Sequence, residues 1–138
     1  MVNQQSITIT TRGFCDIVDI TGRVSQALSG KRVINGVATI FIPGSTAAVT
    51  TIEYESGAVA DLRAAIERIA PQHGDYLHNE RWGDGNGFSH VRAALLGPSL
   101  SVPLIEGSLA LGMWQQIVLV DFDNKARSRK VIVSAVGE

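Results

Sequence analysis

The chain opens with alternation. Ile7 and Ile9 are interleaved with Ser6, Thr8 and Thr10, a period of two that predicts a strand with one buried face. A turn at Gly13 leads into a second predicted strand from Phe14 to Ile20. Asp19 and Thr21 offer capping oxygens for a short helix through Leu28, which Gly30 ends. Val37, Thr39 and Phe41 alternate with Ala38, Ile40 and Ile42, so residues 36–42 read as a strand, broken by Pro43-Gly44. Ala48 to Tyr54 reads as another. The period then changes. Val59, Leu62, Ile66 and Ile69 fall at helical spacing, with Ser56 as a cap and Pro71 as the stop. Residues 71–87 are polar and aperiodic and read as one long loop. Phe88 to Leu96 predicts a further helix ended by Gly97-Pro98, and Leu100 to Ile105 an edge strand carrying Pro103. Gln115–Phe122 and Lys130–Val136 predict two last strands joined as a hairpin through Asp123-Asn124. Ile117-Val-Leu-Val120 is apolar on both faces, as a central or interface strand would be.

The strands come in hairpin pairs rather than in strict alternation with helices. The expected fold is therefore α+β, a mixed or antiparallel sheet of about seven strands with two or three helices, in a single domain over 1–138. No repeat or linker divides the 138 residues.

Composition sharpens this picture in three ways. Only 18% of residues are charged while 45% are hydrophobic, an apolar surplus for a lone domain that predicts burial between subunits of a homo-oligomer. The formal charge is −1 with no basic block, which argues against nucleic acid as a partner. No apolar run reaches the roughly 18 residues that span a bilayer, and the first residues lack a basic flank and apolar core, so neither membrane insertion nor a secretory signal is expected. Cys15 is the only cysteine, compatible with a reducing cytoplasm.

The candidate chemistry is concentrated between Tyr76 and His90. His78 and His90 bracket a glycine-rich segment with Asp84 and Asn86. Two imidazoles and a carboxylate (His78, His90, Asp84) suit a divalent metal such as zinc, leaving positions open for water or substrate. Without metal, His90 could shuttle a proton near neutrality. Asp84-Gly-Asn-Gly87 could equally be only a turn. His73 reads as a solvated residue. Pro43-Gly-Ser-Thr46 ends a strand with small residues and hydroxyls that either cradle an anion or close a tight turn. Glu53 and Glu55 fall on one strand face by alternation, as a solvated pair or, near the histidine loop, as a general base or metal ligand. Arg127 and Arg129 are likewise two apart, available to a phosphate at a subunit interface or simply solvated. Other signatures fail. Gly30-Lys31 lacks the glycine (Ser25) and hydroxyl (Arg32) of a phosphate loop. Asp84-Gly-Asn86 lacks the later ligands of a calcium loop, where Phe88 and Leu95 stand. Gly83-x-Gly85 lacks the third glycine of a dinucleotide turn, and no Gly-x-Ser-x-Gly elbow occurs.

In order, Phe41-Ile-Pro-Gly-Ser-Thr-Ala-Ala-Val-Thr-Thr-Ile-Glu-Tyr54, Tyr76-Leu-His78, Asp84-Gly-Asn86, Ser89-His90, Leu96-Gly-Pro-Ser-Leu-Ser-Val-Pro103, Gly107-Ser-Leu-Ala-Leu-Gly-Met-Trp-Gln115 and Asp121-Phe-Asp123 with Arg127 and Arg129 resemble the YjbQ family, also described as secondary thiamine-phosphate synthases. The resemblance covers nearly the whole chain from about Arg12. It implies an α+β homotrimer with a histidine site near a subunit interface, often holding a metal or an anion. It also implies weak thiamine-phosphate synthase activity in some members, joining a pyrimidine pyrophosphate to a thiazole phosphate with loss of pyrophosphate. The family residues carried here are His78, Asp84, Asn86 and His90, with Glu53 and Gln115. Two positions depart. Many relatives have Pro-His-Thr-Thr where this chain has Pro43-Gly-Ser-Thr46, and Met113 replaces the usual threonine before Trp114.

These readings assign catalytic roles to His90, His78 and Glu53. Ser45, Thr46, Asn86, Gln115 and Arg129 are assigned to a phosphate-bearing small molecule, and His78, Asp84 and His90 to a possible zinc or magnesium ion. The alternative is a non-catalytic trimer that binds a metal or metabolite through the same residues.

Overall fold

The computed structural model describes residues 1–30 and 33–138. Lys31 and Arg32, part of the rejected phosphate-loop motif, lie outside the described residues. Eight strands and four helices follow one another as β1 (Val2–Thr11), β2 (Asp16–Asp19), α1 (Thr21–Leu28), β3 (Gly36–Phe41), β4 (Ala47–Glu53), α2 (Ser56–Ile69), α3 (Leu77–Trp82), α4 (Gly87–Leu96), β5 (Ser99–Ile105), β6 (Ser108–Leu109), β7 (Gln115–Asp121) and β8 (Arg127–Gly137) among the described residues. The strands form two sheets, one ordered β1-β8-β3-β5-β6 and one ordered β2-β7-β4. Every pairing is antiparallel. The fold is α+β as expected, with an antiparallel rather than a mixed arrangement and with two sheets in place of one.

The double-sided apolar run explains the layering. Ile117 and Leu119 on β7 belong to the core cluster shared with Ile7, Ile9, Ile40 and Val133 of the larger sheet. Val118 and Val120, pointing the other way, belong to the cluster formed with Val59 and Ile66 of α2 and Ala93 of α4. The three-stranded sheet is thus a middle layer, buried on both faces, and β7 is its central strand.

Five local expectations change. The β7–β8 connection is no hairpin, because β7 pairs with β2 and β4 while β8 pairs with β1 and β3. The loop over 71–87 contains α3, a six-residue helix with no buried residue and hence no apolar period to read. The α2 cap is Glu55, whose carboxylate accepts from the amides of Gly57 and Ala58, rather than Ser56. Because Glu55 leaves the strand for this cap, it does not share a β4 face with Glu53. The N-cap of α1 is Ile20, with no side-chain capping bond, rather than Asp19 or Thr21; Asp19 accepts from the Thr21 amide at 3.0 Å and hydroxyl at 2.7 Å just ahead of the helix.

Candidate functional site

α3 and α4 bring the two histidines together. The left-handed Gly83 ends α3, and Asn86 begins α4 four residues before His90. The imidazole centroids of His78 and His90 lie 4.4 Å apart with planes tilted by 43°. His78 Nδ1 lies 3.4 Å from Asp84 Oδ1, without the alignment of a hydrogen bond and with no other partner among the described residues. Asp84 Oδ1 accepts instead from the Asn86 amide at 3.1 Å. The segment is no simple turn, because Asn86 is buried. Its Oδ1 accepts from the Ser89 hydroxyl at 2.6 Å and the Asn124 amide at 3.2 Å. Asn124 Nδ2 donates to the Asp84 carbonyl at 2.8 Å. Asn86 therefore anchors the loop to the β7–β8 connection, and its Oδ1 is already engaged.

Opposite α4 stands the turn between β3 and β4. Gly44, Ser45 and Ala47 line a pocket of about 200 Å³ with His90, Ala93, Ala94 and Pro98. Gly44 adopts φ +110°, which favours glycine. Ser45 is exposed, and its hydroxyl has no partner among the described residues. Thr46 differs. It is buried, its hydroxyl donates to Asp123 Oδ2 at 2.9 Å and accepts from Arg129 Nη2 at 2.6 Å. Thr46 is a structural partner of Arg129 rather than a free anion ligand.

Beneath this turn lies a buried polar network that the sequence reading missed. Arg129 grips Asp121 with two parallel bonds, Nε to Oδ2 at 2.7 Å and Nη2 to Oδ1 at 2.8 Å. The Thr11 hydroxyl and the Asp123 amide donate to the same carboxylate. Arg127 Nε donates to Asp123 Oδ2 at 3.1 Å, while Asp123 Oδ1 has no partner among the described residues. Burial alone would raise the Asp121 carboxyl. Hydrogen bonds from Arg129, Thr11 and Asp123, with the charge of Arg129, hold it below its ordinary range instead. The hydrogen bond to Asp121 pushes the Arg129 guanidinium up in turn, against the effect of burial. The signal was present. Asp121 and Asp123 share the two-residue spacing of Arg127 and Arg129, and Asp121 directly follows four apolar residues.

Other expected residues lie elsewhere. β4 is seven residues long, so Glu53 is roughly 20 Å along the strand from Thr46. Glu53 pairs across the sheet with Gln115. The Gln115 amide is occupied, its Nε2 donating to the Thr51 hydroxyl at 3.1 Å and its Oε1 accepting from the Gly112 amide at 3.0 Å. Within one chain, neither Glu53 nor Gln115 meets the histidines. Among the described residues no group of three or more His, Cys, Asp or Glu side chains is disposed to hold a metal ion. His78, Asp84 and His90 are neighbours without forming a chelating trio, so the expected zinc or magnesium site does not fit the residues of one chain. No helix among the described residues is long and apolar enough to cross a membrane.

Relatives of known sequence and structure match almost end to end. The family described as "UPF0047 protein YjbQ-like" matches residues 5–138. A UPF0047 protein of Methanothermobacter thermautotrophicus is 36% identical, over 99% of this chain and 94% of its own. One of Archaeoglobus fulgidus is 35% identical, over 94% and 98%. Among solved structures, a YbjQ-like protein of unknown function from Sulfolobus solfataricus P2 superimposes with a TM-score of 0.94 at 33% identity, covering 100% of this chain and 99% of its own. A hypothetical protein of Aeropyrum pernix K1 gives 0.90 at 32% identity, covering 98% of each. With the family's sequence pattern matched over nearly its full length and its fold reproduced, the chain belongs to the YjbQ-like UPF0047 family.

Proposed function

We propose that the protein binds a phosphorylated small molecule in the pocket between the Gly44-Ser45 turn and His90. The observation that carries this reading is the set of uncommitted groups around one cavity. The Ser45 hydroxyl is free, His90 lines the wall, and His78 stacks behind it with an unsatisfied Nδ1 beside Asp84. His78 Nδ1 lies 3.4 Å from the Asp84 carboxylate, which places an acceptor behind the imidazole pair. The remaining wall of Ala93, Ala94 and Pro98 is small and apolar, and suits an uncharged part of the ligand.

A binding protein without turnover is the reading this geometry supports first, because Glu53, the expected base, lies at the far end of β4. The finer reading is a thiamine-phosphate synthase-like transferase. It draws support from the family resemblance and from the chemistry of that reaction, in which both reactants carry phosphate and pyrophosphate leaves. His90 would then donate a hydrogen bond to the departing pyrophosphate, with His78 packed against its ring. Assembly as a homotrimer belongs to the same proposal. Val2, Val136, Val37 and Pro103 stand side by side across four strands on the exposed face of the larger sheet.

The test is a calorimetric titration with pyrophosphate, run beside a thiamine-phosphate synthesis assay with magnesium. The expected result is saturable binding that falls about tenfold in His90→Ala and in Ala94→Glu, which places a carboxylate in the pocket. Product that disappears with His90→Ala would favour the transferase. Binding without product would favour the metabolite-binding protein. Pyrophosphate binding equal in all three proteins would overturn the pocket.

A further inference from the structure

Arg129 has donors that the fold does not use. A guanidinium carries five N–H groups. Nε serves Asp121 Oδ2, and Nη2 serves Asp121 Oδ1 and Thr46 Oγ1. Nη1 makes no hydrogen bond among the described residues, although the side chain is only 11% exposed. Nη1 is not among the buried side-chain atoms that lack a partner, so solvent reaches it and a ligand can fill the gap beside it.

The gap lies at Gly44. A Cβ built on this glycine would meet a single atom within 4 Å, Arg129 Nη1 at 3.5 Å. The same glycine lines the Ser45–His90 pocket. We propose that Gly44 makes Arg129 an anion-binding residue: the missing side chain opens Nη1 onto the pocket, where its two hydrogens take a phosphate oxygen. The inference rests on the pocket reading above and adds its charged anchor. Asp121 acts as the positioning residue. Its two-point grip fixes the guanidinium plane, so Nη1 is aimed before a ligand arrives. Ser45 and His90 supply the remaining contacts of a tetrahedral oxyanion, either a phosphate monoester or the end of a pyrophosphate. A larger residue at position 44 would cover Nη1 and would strain a backbone at φ +110°.

The test uses wild-type protein with 15N-labelled arginine, titrated with inorganic phosphate and followed through the guanidinium resonances, with Arg129→Lys for assignment. The Arg129 Nη1 signal should shift and saturate with the same midpoint as calorimetric binding. Gly44→Ala should weaken phosphate about tenfold. The wild-type titration stands even if that variant folds poorly. An unmoved Arg129, in a protein whose phosphate binding Ala94→Glu weakens about tenfold, would overturn the role of Arg129 and Gly44 while leaving the pocket. Absence of saturable phosphate binding by the wild type would overturn both.

Discussion

At the scale of residues, Asp121 holds the buried polar network together. The carboxylate is fully buried and gripped by Arg129, so its removal leaves a guanidinium enclosed without its main partner. Asp121→Asn should cost on the order of 3 kcal/mol, read as a shift in the urea midpoint with little change in slope. The pH dependence has a definite sign. The folded chain holds this carboxyl below its ordinary value of 3.8, so the unfolded chain binds the proton more readily. The contribution is fully present above that value and is lost as pH falls through the lower, folded one. Urea titrations from pH 6 to pH 2 should show stability falling in the acid limb, with a shallower fall in Asp121→Asn. This pair also marks the limit of the sequence. The alternation of Arg127 and Arg129 was legible, as was the matching spacing of Asp121 and Asp123; that the two pairs meet was not, because a period of two says which residues share a face and not what that face meets. The His78–His90 approach was legible as a looping back of the chain. The commitment of the Thr46 hydroxyl to Arg129 was not, since a hydroxyl beside a turn reads the same whether it faces a ligand or a buried cation.

At the scale of elements, periodicity identified strands and helices wherever one face is apolar. It failed on α3, which buries nothing, and on β6, which is two residues long. It could not assign β7 and β8 to different sheets, because a period of two says which face is buried and not which neighbour is bonded. Strand length then decided where Glu53 lies. Placing Glu53 near the histidines needed β4 to end at the pocket, and it begins there instead. A close approach supplies a prediction at this scale. Gly36 sits opposite Gly137 in the β3–β8 pairing, and a Cβ on Gly36 would stand 2.1 Å from the Val136 carbonyl oxygen. Gly36→Ala must therefore push the strands apart, and should cost roughly 2 kcal/mol or more in thermal unfolding. Gly22→Ala, where a Cβ meets nothing within 4 Å, is the matched control on α1 and should be neutral or stabilising.

At the scale of the whole molecule, the middle sheet couples the two cores, and the polar network sits where β7 ends. Leu119 is fully buried at the centre of that sheet, so Leu119→Ala should cost about 2–5 kcal/mol in urea unfolding. The exposed row of Val2, Val136, Val37 and Pro103 makes a prediction about assembly. Light scattering on the eluting protein should give a multiple of the 14.7 kDa chain, and Val37→Lys with Val136→Lys should shift it toward the monomer. A monomeric wild type would remove the trimer from the proposal without touching the pocket, whose named residues all come from one chain. The most direct test of that pocket is a crystal structure grown with pyrophosphate. Phosphate oxygens should lie within hydrogen-bond distance of the Ser45 hydroxyl, His90 and Arg129 Nη1, with the Asp121–Arg129 grip unchanged. Pyrophosphate bound elsewhere, or an empty pocket at saturating ligand, would contradict this placement.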